Sequence, residues 1–138
     1  MMVRNSIIIA AGLVLAACGK AELTLDDRIE LVGDDCRYLA SNADFKTGDV
    51  EAATYCACIV TDLGNLQSAE AEAVSHTFAY ISKQHRKNGG TFDSYATTFK
   101  AAAKAPNAQN YESGLGIGLK LMDDVITRVN KRADDGDC

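Results

Sequence analysis

A single proline, Pro106, stands in the 138 residues, so nothing before it interrupts a helix by removing a donor or crowding the preceding turn. Alanine, the strongest helix former, is abundant throughout. Apolar residues recur at steps of three and four, and no run alternates with period two long enough to make a strand. Leu25, Ile29, Val32, Cys36, Leu39 and Ala43 trace a first helix, opened by Thr24 with Asp27 as a capping box and weakened at Gly33. Phe45 to Gly48 reads as a loop. Asp49 then caps a second helix whose apolar face is Ala53, Cys56, Ala57, Val60 and Leu63. Ser68 caps a third, with Val74, Phe78, Ile81 and His85 on one stripe and a basic last turn before Asn88-Gly89-Gly90. Thr91 or Asp93 opens a fourth from Ser94 to about Ala105, closed by Pro106-Asn107. Leu115, Leu119, Met122, Ile126 and Val129 mark a fifth, from about Gln109 to Arg132. The expectation is one all-α domain over residues 25–138, a compact bundle of four or five short helices.

Before that domain the chain has a different character. Arg4 is the only early charge, the run Ile7 to Val14 is apolar, and small residues precede Cys18, which is the layout of a secretory signal. The apolar stretch from Ser6 to Ala17 holds 12 residues, whereas a membrane-spanning helix needs roughly 20. Leu15-Ala16-Ala17-Cys18 resembles the lipobox of bacterial lipoproteins at each of its four positions: a branched aliphatic, two small residues, then cysteine. The resemblance implies removal of residues 1–17 and a diacylglycerol on the Cys18 sulfur. It also implies a cell-envelope protein held on the periplasmic side through that anchor. Gly19 stands where a lipoprotein retained in the inner membrane typically has Asp, so the resemblance favours the outer membrane. Residues 18–24 make a short tether of about 20 Å reach, which keeps the domain near the bilayer.

With Cys18 committed to a thioether, the chain's five cysteines leave an even set: Cys36, Cys56, Cys58 and Cys138. In an oxidising compartment four cysteines in a small domain are most simply two disulfides. Cys56 and Cys58 on one helix lie about 200° apart, from 3.6 residues per turn, so each takes a separate partner. Cys36 and Cys56 both lie on apolar faces, which favours Cys36 with Cys56 and Cys58 with Cys138; the swapped pairing stays open.

No residue constellation specifies a reaction. Cys56-Ala-Cys58 is one residue short of a usual metal or thioredoxin-like motif and has no neighbouring His, and no Cys-x-x-Cys-His exists for a c-type haem. His76 and His85 are about half a turn apart around their helix and form no chelate. His76 shares a face with Tyr80 but has no Ser or Asp partner by spacing, while His85, beside Lys83, Arg86 and Lys87, complements a helix C-terminus. Gly114-Leu-Gly116-Ile-Gly118 lacks the strand and lysine of a phosphate loop; Gly114 and Gly118, four apart, instead offer a bare strip to a neighbouring helix. Asp134-Asp135-Gly136-Asp137 lacks the spacing and terminal Glu of a calcium loop. No metal or other cofactor is expected.

Charge is unevenly spread. Residues 22–72 hold 12 acids against 3 bases, and residues 83–104 hold 5 bases against 1 acid. An acidic total argues against nucleic acid as a partner. The leading expectation is a non-enzymatic, lipid-anchored module that binds or scaffolds another envelope protein, with Lys83, Arg86, Lys87, Tyr95 and Tyr111 as contact candidates. Two alternatives are a small redox or metal-binding protein using Cys56 and Cys58, and a carrier of a small ligand or lipid.

Overall fold

The computed structural model describes residues 22–103 and 115–138; Cys18, Pro106, Tyr111 and Gly114 lie outside them. Within the described residues the chain forms five helices and no strand: α1 (Leu25–Asn42), α2 (Ala52–Gly64), α3 (Ser68–Asn88), α4 (Phe92–Ala103) and α5 (Leu115–Asp134). The helix starts test the sequence signals directly. At α1, Thr24 Oγ1 accepts from the Asp27 amide at 3.2 Å, and Asp27 Oδ2 accepts from the Thr24 amide at 2.9 Å, completing the capping box. Asp49 does not cap α2: it lies in the turn before the helix, where Thr47 Oγ1 donates to the Val50 carbonyl, and Glu51 occupies the N-cap without a side-chain bond. Ser68 is the first residue of α3, after Gln67 at the N-cap. Thr91, rather than Asp93, opens α4. Its hydroxyl accepts from the Ser94 amide at 3.2 Å, and Ser94 Oγ accepts from the Thr91 amide at 3.3 Å, so the helix starts at Phe92, two residues earlier than its apolar spacing suggests.

α1 packs against both α2 and α3, while α5 lies against α2, α3 and α4. The core between them is filled by fully buried side chains including Leu39, Tyr55, Ile59, Phe78, Met122 and Val129. Phe45, read from the sequence as part of a loop, lies in this core. It makes edge-on contacts with Tyr55, Phe78 and Phe92 at ring separations of 6.0, 6.4 and 4.7 Å. The connection turns inward because Asp44 adopts a left-handed conformation (φ 57°), which Asp tolerates better than most residues. The Phe92 amide then donates to the Ala43 carbonyl at 2.7 Å and ties the start of α4 to the end of α1.

The face of α2 differs from the one its alanines suggest. Ala53 and Ala57 are exposed, and the buried set is Tyr55, Cys56, Cys58, Ile59, Asp62 and Leu63. Alanine adds too little apolar area to set the orientation; Tyr55 and Ile59, one turn apart, bury far more. Gly33, the weak point of α1 by propensity, is a contact point in the structure. A Cβ there would stand 3.2 Å from Val60 Cγ2, so the bare backbone allows α1 and α2 to close together.

Two disulfides staple the bundle, Cys36–Cys56 between α1 and α2, and Cys58–Cys138 between α2 and the C-terminal residue. Beside the second, Asp62 on α2 is almost fully buried and receives two donors of Arg128 on α5, Nε at 3.1 Å and a terminal nitrogen at 2.7 Å. The pair is one-sided, since Arg128 keeps nearly half its side chain in water. Arg128→Ala therefore strands a buried carboxylate, and urea unfolding is expected to show a loss of about 2 kcal/mol, below the range for fully buried pairs. Asp62→Asn, which leaves no stranded charge, should lose less; an equal loss would argue against this account.

Tyr55 links α2 to α5 through a 2.5 Å hydrogen bond from its hydroxyl to Asn130 Oδ1. Burial of the ring pushes the phenol up to about 12. An unfolded Tyr releases its proton near pH 10, so between pH 10 and 12 the unfolded state binds fewer protons than the native one and stability falls as pH rises. Urea midpoints measured across that window should drop more steeply for the native chain than for Tyr55→Phe. Parallel curves would exclude Tyr55 as the cause.

Candidate functional site

The four described cysteines are all disulfide-bonded. Cys56 and Cys58 belong to different disulfides, and Cys36 and Cys56 are wholly shielded from solvent, so they form no vicinal redox pair. The Cys58–Cys138 bond is more accessible, lining an open cleft of about 500 Å³ with Ala53, Thr54, Ala57 and Thr61. Among the described residues no group of three His, Cys, Asp or Glu side chains converges to hold a metal ion, and no described helix is long and apolar enough to cross a membrane.

The basic end of α3 divides into two roles. Lys83 and Lys87 project into solvent. Arg86 lays its guanidinium 3.6 Å from the centroid of the Tyr38 ring on α1, a cation–π contact that fastens the α1–α3 seam. His85 does not serve as a surface charge: it is buried, its Nε2 lies 3.1 Å from the Gly90 carbonyl, and its Nδ1 lies 2.8 Å from the Tyr38 hydroxyl. A carbonyl only accepts, so Nε2 donates to Gly90, while Nδ1 and the Tyr38 hydroxyl share the second hydrogen bond. The stripe position of His85 beside Ile81 signalled this burial; the neighbouring lysines pointed the other way.

Tyr95, expected as an exposed aromatic, is half-buried and spends its hydroxyl on the Gly89 carbonyl at 2.5 Å. It secures the α3–α4 turn, where Gly89 and Gly90 both have positive φ. His76 is exposed and lies on a groove between α1 and α3 that the sequence reading did not identify.

That groove has two adjoining parts. Its first part, about 360 Å³, is lined by Leu23, Leu31, Arg28, Asp35, Ser75 and His76, together with Ala79. Ala79 and His76 also line a second part of about 370 Å³, which continues past Tyr80 to Lys83 and Gln84. An ion pair between Arg28 and Glu72 (2.7 Å) joins α1 to α3 at the acidic end. Burial in the seam raises the Asp35 carboxyl above the ordinary carboxylate value, against the pull of the Ser82 hydroxyl and the Arg86 guanidinium and with the added repulsion of Asp34. The groove combines the apolar side chains of Leu23, Leu31 and Ala79 with charged rims. Compared with known protein families, with curated proteins and with solved structures, the chain matches none.

Proposed function

We propose that the chain is the precursor of a lipid-anchored envelope lipoprotein whose mature helical domain, on the periplasmic side and with the outer membrane favoured, binds or scaffolds another envelope protein. The observation that carries the reading is the succession of Arg4, the apolar run Ile7 to Val14 and Leu15-Ala16-Ala17-Cys18. The two disulfides support it, because such bonds persist in oxidising compartments such as the bacterial periplasm. Anchoring through several acyl chains, at about 0.8 kcal/mol per buried methylene, is durable where one chain is marginal. The short tether then restricts the domain to partners close to the membrane.

Mass spectrometry of the detergent-extracted protein tests the anchor. The expected N-terminal peptide starts at Cys18 and carries acyl mass, and Cys18→Ser should leave the protein uncleaved and without lipid. A mature N-terminus elsewhere, or an unmodified Cys18, would overturn the reading.

A further inference from the structure

We infer that the groove between α1 and α3 seats one amphipathic helix of the envelope partner, basic at the end over Leu23 and Leu31 and acidic at the end over Lys83. The inference rests on the partner-binding reading above and names its site and chemistry. Among the described residues only three large aliphatic side chains are strongly exposed, and two of them, Leu23 (52%) and Leu31 (43%), line the same cleft. A lone exposed leucine is ordinary; two converging on one recess mark a surface that is covered in use. Ser75, on the wall of that recess, is only 3% exposed.

The shape and charge select the occupant. From Ser75 to Gln84 the groove follows α3 for about 14 Å at 1.5 Å per residue, between two and three helical turns. Ala79, shared by both parts of the groove, leaves the middle shallow enough for a second helix to lie close. On α1, Asp27, Asp34 and Asp35 stand one turn to either side of Leu31. Arg28 and Glu72 neutralise each other across this end, and Arg37 offsets Asp34, so the surplus negative charge beside Leu31 is that of Asp27 and Asp35. At the other end Lys83, Arg86 and Lys87 reverse the sign. A helix with apolar residues at three- and four-residue steps and opposite charges at its ends matches this surface. The surface of an anionic bilayer does not, because the carboxylates around Leu31 repel its headgroups.

The test uses the full chain in intact cells, with a photo-crosslinking residue in place of Leu31 and, separately, of Thr61 or Thr98 on the exposed faces of α2 and α4. Peptide sequencing of the adducts from position 31 is expected to find a segment with helical apolar spacing and a cluster of Lys or Arg. The combined variant Asp34→Asn, Asp35→Asn should lower that adduct several-fold, as should Lys83→Ala, with thermal midpoints close to the parent's to show the fold is kept. An adduct with phospholipid at position 31, an acidic or non-helical captured segment, or an adduct indifferent to all three substitutions would overturn the inference. Adducts only at Thr61 or Thr98 would overturn the groove and leave partner binding standing. No protein adduct at any position would overturn both.

Discussion

Replacing Cys58 and Cys138 together with alanine is expected to lower stability by about 4.5 kcal/mol, and replacing Cys36 with Cys56 by about 3 kcal/mol. The order follows from the loops closed in the unfolded chain, with sequence separations of 80 and 20 residues. Urea unfolding of the two double variants measures both values. Reduction under native conditions should follow a second rule, because thiol exchange needs access to sulfur. Cys138 is partly exposed beside an open cleft, whereas Cys36 and Cys56 are at zero exposure. The Cys58–Cys138 bond should therefore open first and leave a species with two free thiols. Alkylation and peptide mapping during reduction would reveal it, and loss of both bonds at one rate would contradict the difference in access. The freed tail should fray from Asp135 onward, since beyond its helix it is held mainly by Arg132 donating to the Asp137 carbonyl and by turn hydrogen bonds.

Gly118→Ala is expected to destabilise the domain by about 1–2 kcal/mol and Gly118→Val by about 3 kcal/mol, although both remove a glycine from a helix. Alanine in α5 contributes about 1 kcal/mol of helix propensity. Against this, a Cβ at Gly118 would stand 2.8 Å from the Ala73 carbonyl oxygen and closer still to Thr77 Oγ1. The carbonyl is backbone, and Thr77 Oγ1 is itself bound to it at 2.8 Å, so neither can move aside without shifting α3 against α5. Overpacking costs about 1–3 kcal/mol, and contact with backbone at this distance places Gly118→Ala in the upper part of that range, about 2–3 kcal/mol, which decides the sign. In a Thr77→Ala background the loss from Gly118→Ala should shrink without vanishing, because the carbonyl remains; a double-mutant cycle measures that coupling. Gly64→Ala supplies the contrast. Nothing stands within 4 Å of a Cβ at the end of α2, so this change should stabilise by about 0.4–1 kcal/mol. A stabilising Gly118→Ala would refute the close α3–α5 approach.

The Gly118 contact also shows how far local pattern reaches. Two glycines four apart at the start of the last helix announced a bare strip, and Gly118 does lie against α3. The identity of the facing helix, and the Thr77 and Ala73 groups that make the approach close, depend on how α5 returns across the bundle. Asp62 and Arg128 show the same limit: 66 residues apart, they carry no local signal of pairing. Phe45 was legible only as a loop aromatic, because burial of a loop residue depends on what the chain around it encloses.

The candidate site was less legible still. Lys83, Arg86 and Lys87 formed a visible basic cluster, yet Arg86 proved to be engaged with Tyr38, and Tyr95 with Gly89. Leu23 preceded the periodic segment and Leu31 lay off the apolar stripe of α1, so neither drew attention. A groove has two walls from different parts of the chain, and α1 and α3 meet only in the folded molecule.

What the sequence by itself determined was the local layer: four or five helices, the Thr24 cap, a fourth helix opening at Thr91 or Asp93, and Cys36 and Cys56 on apolar faces. Those properties arise from steps of three and four residues and from side chains bonding amides three positions away, interactions complete within one or two turns. Only the tertiary structure decided the face of α2, the covering of Asp62 and Cys58, the burial of Phe45, and the union of Leu23, Leu31 and Ser75 in one groove. Each of these depends on area removed from water or on a partner dozens of residues away, and neither quantity exists until the helices have packed.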